Sequence, residues 1–180
     1  IGQAFPYTPI ANPTWMMPNW TFGIQDGEMQ KTVDDARAEG AEVVIVISHN
    51  GMDVDLKMAC RVSGIDAVLG GHTHDGMPKP TIVSNPGGKT LVTNAGSNSK
   101  FLGVLDMDVK GNKVAGFQYR LLPVFSNFIE ADKEMQELID KMHKQTIKFQ
   151  GKEFIAEERL NKVLAKNDVT LYRRGNFNGT

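Results

Sequence analysis

Val43-Val44-Ile45-Val46-Ile47-Ser48-His49-Asn50-Gly51 and Ala67-Val68-Leu69-Gly70-Gly71-His72-Thr73-His74-Asp75-Gly76 decide how this chain is read. The first opens on a continuous β-branched run and the second on a short apolar one, the pattern of strands buried inside an α/β sheet. Each then breaks into a glycine-bearing loop that carries histidine. Loops leaving the carboxyl ends of such strands face the crevice where α/β sheets bind ligands. Glycine on both sides lets the backbone turn sharply and brings the imidazoles toward a common point.

Working outward, Met29, Val33 and Ala36 recur at helical spacing, which predicts a helix from about Glu28 to Glu39 stopped by Gly40. A second helix is expected over Val54–Ser63 with Asp53 as its N-cap. Beyond the second loop, Thr81–Ser84, Thr90–Asn94 and Phe101–Val109 read as strands. Alternation resumes at Phe117, Tyr119 and Leu121, and Gly111-Asn112 between the two alternating runs signals a hairpin. Met135, Leu138, Ile139 and Met142 mark one face of a helix expected over 133–149, and a second helical stretch is expected over 156–166. Residues 1–25 hold Pro6, Pro9, Pro13 and Pro18 among Phe5, Tyr7, Trp15, Trp20 and Phe22. They read as an extended, partly buried loop pinned by aromatics, with no helix. The fold class is therefore layered α/β with a mixed sheet, followed by a helical linker.

The chain has 180 residues with 20 basic and 21 acidic side chains, a net charge of -1. That balance argues against a nucleic-acid partner, which usually selects a basic excess. No apolar run approaches the roughly 20 residues that span a bilayer, so no membrane segment is expected. The single cysteine, Cys60, excludes an internal disulfide, and its helical context predicts a buried structural thiol. The chain starts at Ile1 and stops at Gly179-Thr180 just after a motif-like stretch, so both ends read as cut and the chain as a fragment.

Neutral imidazole suits zinc, manganese or iron, and histidines one residue apart on a loop can ligate two neighbouring ions. An ion pair roughly 3.5–4 Å apart would activate water and neutralise charge on a tetrahedral anionic ester. The competing readings are weaker. His49 as the base of a serine or cysteine nucleophile lacks a Gly-x-Ser-x-Gly elbow. Asp53-Val54-Asp55 lacks the later ligands of a calcium loop, and these aspartates read as charges at a helix N-terminus. Gly87-Gly88-Lys89 is too short for a phosphate loop and reads as a turn. His143 falls mid-helix among lysines and reads as solvent-exposed.

At the histidine loops, Ser48-His49-Asn50-Gly51 and Gly71-His72-Thr73-His74-Asp75, the chain resembles the 5'-nucleotidase branch of the calcineurin-like metallophosphoesterases. Residues 1–13, Asn94-Ala95-Gly96-Ser97-Asn98, Leu121-Leu122-Pro123-Val124-Phe125-Ser126-Asn127 and residues 171–179 are similar to its SoxB-type thiosulfohydrolases, so the likeness covers nearly the whole chain. The resemblance implies the second half of an α/β/β/α sandwich over residues 1–127, a helical linker over 128–170, and the start of a carboxyl-terminal substrate domain over 171–180.

It also implies two manganese ions, with His49 and His72 on one and His74 on the other. The family's remaining ligands lie in Asp-x-His and Gly-Asn-His-Glu/Asp motifs, and the latter also supplies its catalytic histidine. Neither motif occurs here, so these residues hold half a site, no catalytic residue is assigned, and the fragment alone is expected to be inactive. The implied reaction releases sulfate from a cysteine-bound thiosulfonate on the SoxYZ sulfur carrier, in the periplasm, by a monomer. Arg173 and Arg174 with Asn176 are candidates to hold the substrate's anionic end, because guanidinium forks favour oxyanions. A 5'-nucleotidase or 2',3'-cyclic phosphodiesterase, in which Trp15, Trp20 or Phe177 would stack a base, and a non-catalytic module that binds only metal or a carrier are the alternatives.

Overall fold

The computed structural model describes residues 1–169, in two compact units, Ile1–Phe125 and Ser126 onward. The first unit opens with β1 (Gly2–Gln3), α1 (Thr8–Ala11) and a 3₁₀ turn (Thr14–Met16). It continues through α2 (Asp26–Ala38), β2 (Ile45–Ser48), α3 (Met52–Arg61), β3 (Ala67–Gly70), β4 (Thr81–Asn85) and β5 (Gly88–Asn94). The hairpin strands β6 (Phe101–Lys110) and β7 (Lys113–Pro123) complete it.

Five strands form one mixed sheet in the order β1-β2-β3-β5-β4. All of its pairs are parallel except β4–β5, which closes the edge. Val46, Val68 and Val92 stand in register across its centre, and none exposes measurable surface. They pack on Met29 and Val33 of α2, on Met58 and Ala59 of α3 and on Val62 at its C-cap, all part of the core. The apolar stripe sits inward because 29 and 33 are one helical turn apart, as are 58 and 62. On the sheet's other face, Ile45, Leu69 and Thr93 meet Leu105, Met107 and Tyr119 of the hairpin around a cavity of about 330 Å³.

The helix and turn signals act as their chemistry requires. Gly40, at φ 98°, ends α2 in a Schellman motif: Ala41 N–H donates to Ala36 O and Gly40 N–H to Arg37 O. Arg37 then binds the carbonyls of Ala41, Glu42 and Gly64 and the carboxylate of Asp66, tying α2 to the entry of β3. Arg61 of α3 donates to Asp26 of α2 and holds that carboxyl below its usual range. At the hairpin tip Gly111 and Asn112 both take left-handed φ, 57° and 59°, as a two-residue type I' turn demands.

Three readings need correction here. Residues 1–25 are not wholly extended: α1 and the 3₁₀ turn both form within them, because Pro9 occupies the first turn of α1, where its missing N–H is no loss. Nor do the tryptophans pin that segment, for Trp15 and Trp20 are 77% and 73% exposed. Asp53 is not an N-cap; α3 starts after Gly51, whose φ of 99° makes the turn, and Asp53 lies inside the first turn. Cys60 is exposed rather than buried, since it lies off the stripe formed by Met58, Ala59 and Val62.

The second unit holds α4 (Lys133–His143), β8 (Thr146–Phe149), β9 (Lys152–Ile155) and α5 (Ala156–Leu160). The helix expected over 133–149 therefore ends at His143, and residues 146–149 form a hairpin with β9. Helix α5 stops at Leu160, short of 166. Asp132 caps α4 by accepting from Met135 N–H. His143 ends that helix half-buried, and is neither mid-helix nor fully exposed. Arg159 stacks over Phe149 and Phe154 of the hairpin. No helix among the described residues is long and apolar enough to cross a membrane.

Met58→Ala should cost about 2–5 kcal/mol, because the side chain is fully buried in the core formed by the helices and the sheet. Urea unfolding checks this: the midpoint should fall while the slope stays constant.

Candidate metal centre

Parallel pairing sends β2, β3 and β5 out of the sheet on one side, so the loops after Ser48, Gly70 and Asn94 meet there. His49 and His72 come together, with ring centroids 5.1 Å apart and planes at 65°. Gly71 permits the approach, since a Cβ at that position would sit 3.3 Å from His49 Nδ1. The strand β1 ends beside the same point. His49 N–H donates to Gln3 O, and Phe5, two residues on, lies 4.3 Å from the His72 ring and 6.0 Å from that of His49.

The second loop is strained. His72 and His74 adopt φ of 70° and 62°, left-handed values that cost a non-glycine residue about 1–3 kcal/mol. Thr73 N–H donates to Gly71 O, closing a γ-turn with His72 at its centre. Thr73 Oγ1 donates to Asp75 and accepts from Met52 N–H, which fastens the loop to the start of α3.

Beneath the first loop lies Asp55, fully buried. Its Oδ1 accepts from Ser48 Oγ at 2.5 Å and from Asn50 Nδ2 at 3.1 Å, and Asn50 N–H donates to Ser48 Oγ at 3.1 Å. Burial pushes the Asp55 carboxyl above its ordinary value, against the pull of these two hydrogen bonds. The reading of Asp55 as a helix-terminal charge holds for its place and not for its exposure: the residue lies in the first turn of α3 but is buried. A signal for it existed, because 55, 58, 59 and 62 follow the i, i+3, i+4, i+7 rule of one buried face.

Of the residues named from sequence, the structure joins His49 and His72. His74 lies on the same loop, yet no group of three or more His, Cys, Asp or Glu side chains among the described residues is disposed to hold one ion. Arg173, Arg174 and Asn176 lie outside the described residues. Ser48, Asn50, Asp55 and Phe5, which shape the site, were not named as site residues.

No protein-family profile matches the chain. Among solved structures it is similar to the sulfate thiohydrolase SoxB of Thermus thermophilus in complex with glycerol, at 33% identity and a TM-score of 0.73, over 78% of this chain and 25% of that one. A 5'-nucleotidase precursor, also from Thermus thermophilus, matches at 26% identity and a TM-score of 0.59, over 71% of this chain and 29% of that one. The chain belongs with the SoxB-type and 5'-nucleotidase metallophosphoesterases. Among curated proteins, the snake venom 5'-nucleotidase of Gloydius brevicauda is 28% identical over 170 residues, 85% of this chain and 28% of that relative. The chain thus spans about a quarter of the length of the relatives it matches.

The raised Asp55 carboxyl has a signed consequence. The folded protein keeps this proton at a pH where the unfolded chain has lost it. Its contribution to stability is therefore greatest below the unfolded value of 3.8 and is lost as pH rises through the folded value. Asp55→Asn has no charge to bury, so its stability relative to the unsubstituted protein should improve from about pH 4 to about pH 7. Urea midpoints of both proteins across that range test it, and a constant or narrowing difference contradicts it.

Proposed function

We propose that this chain supplies part of the metal site of a hydrolase acting on a tetrahedral anionic ester, and that its substrate is a cysteine-bound thiosulfonate on a sulfur-carrier protein. The observation that carries the reading is the facing pair His49 and His72 at the carboxyl ends of two parallel strands. Two imidazoles 5.1 Å apart, both solvent-exposed and one braced by an aromatic ring, fit part of a divalent-ion donor set. On this reading His49 and His72 hold one ion, His74 serves the other, and the remaining ligands come from outside these 180 residues. Divalent ions, when bound, supply Lewis acidity toward the oxygens of a sulfonate or phosphate. Phe5 limits the swing of His72, and Gly71 admits His49 to the same point. Manganese is the ion the resemblance implies, whereas imidazole donors by themselves suit zinc and iron.

The SoxB likeness, in fold and across 78% of the chain, supports the thiosulfonate substrate; SoxYZ as carrier, a periplasmic location and a monomer are proposed along with it. The nucleotidase reading is favoured by a different observation, the 28% identity to a 5'-nucleotidase over 170 residues. Both substrates present the same tetrahedral anionic centre, so the comparison must be made between leaving groups.

In the full-length protein, His49→Ala and His72→Ala should each lower metal affinity by about tenfold or more. Unchanged metal content in both variants refutes the ligand assignment. Sulfate release from a thiosulfonate-loaded carrier peptide should exceed phosphate release from AMP. The reverse preference moves the assignment to the nucleotidase and leaves the histidines in place.

A further inference from the structure

Asp55 ties both sides of the first histidine loop together, yet it hydrogen-bonds to neither histidine ring. Through one oxygen it holds Ser48 and Asn50, the residues on either side of His49. Its backbone N–H donates to Gly51 O at 2.9 Å, so the same residue also closes the turn that ends the first loop. Its second oxygen lies against Gly70, where an added Cβ would come within 2.7 Å of it. Gly70 is the last residue of β3 and leads directly into Gly71-His72. The carboxylate therefore sits under the first histidine loop and against the root of the second.

We propose that Asp55 is the positioning residue that fixes His49 relative to His72, a role that rests on reading both histidines as metal ligands. A carboxylate oxygen can accept two hydrogen bonds at once in a fixed fork, which a hydroxyl donor and an amide donor fill here. With Ser48 and Asn50 both held, the peptide units flanking His49 cannot rotate, and the imidazole keeps one approach to the ion. Supporting groups of this kind commonly alter metal affinity by about 10–100-fold when removed. Burial strengthens the arrangement, because no water competes for the acceptor. An acidic residue in the apolar stripe of α3 is a cost that partners reduce, and here the loop supplies them at Oδ1 while Oδ2 has none.

The test uses the full-length protein, Co²⁺ as the probe ion and amide exchange as a readout independent of metal. Asp55→Ala should speed exchange in a peptide covering residues 48–52 by about tenfold, weaken Co²⁺ binding by about tenfold and change its visible absorption. The β6–β7 hairpin should exchange as before. Asp55→Asn keeps a carbonyl oxygen that accepts from both donors, so it should hold exchange and affinity within about threefold of the unsubstituted protein. Should Asp55→Ala disturb the hairpin too, Ser48→Ala and Asn50→Ala carry the test, each expected to loosen residues 48–52 and weaken Co²⁺ binding severalfold. Unchanged exchange in the alanine variants, or no rescue by Asp55→Asn, overturns the proposal. If the unsubstituted protein binds no Co²⁺ while exchange follows the expected pattern, the ligand reading fails and the positioning of the loop stands.

Discussion

Val46, Val68 and Val92, in register across three parallel strands and wholly buried against α2 and α3, are the contact on which the rest depends. Parallel pairing forces the three strands to end on the same side, and the apolar row fixes how far each one extends before it ends. A slip of one residue would turn the valines to the opposite face and carry His49 and His72 apart. The cost of that slip is the burial of three β-branched side chains, each worth about 1.5–3 kcal/mol when removed from water. This reserve holds His72 and His74 in left-handed backbone conformations that neither would adopt alone.

Much of this is legible in sequence because single residue types dictate single geometries. The apolar runs before His49 and His72 read as interior strands, and Gly40 and Gly111-Asn112 mark a helix stop and a type I' turn. The reading failed where one pattern ran into another. Ile147 and Phe149 alternate around Lys148 as a strand does, but they follow a strong helical stripe in α4 and were absorbed into it. Gln150-Gly151, both at positive φ, repeats the two-residue hairpin geometry of Gly111-Asn112 without an Asn-Gly or Gly-Asn signature to announce it. Cys60 was placed inside on residue type alone, whereas the phase of α3 sends it out.

The site shows the same division. Histidines are visible because few residues do their chemistry, so His49, His72 and His74 stand out by identity and by the glycines around them. Asp55 was hidden by its company, since an aspartate at the start of a helix has a sufficient electrostatic reason to be there. Only the phase of the stripe, with Met58, Ala59 and Val62 beneath it, separates a buried acceptor from a surface charge. Phe5 is hidden for another reason. It reaches His72 through the pairing of Gln3 with Ser48, a contact between residues far apart in the chain that no local pattern records.

The two faces of the sheet account for the apolar run itself. Val46 points to the helices and has no exposure, while its neighbour Ile47 points the other way and is 68% exposed. A sheet with one wet face would alternate apolar with polar residues, and Val43 through Ile47 does not. On that second face the β6–β7 hairpin meets Ile45 and Leu69 around a cavity and leaves Ile47 outside it. In an α/β/β/α sandwich a further β layer lies on that face. Ile47, which helps give the segment its reading as an interior strand, is thus the side chain that the hairpin leaves uncovered. The helical side of the sheet is already closed around Val46, and with it the geometry that brings His49 to His72.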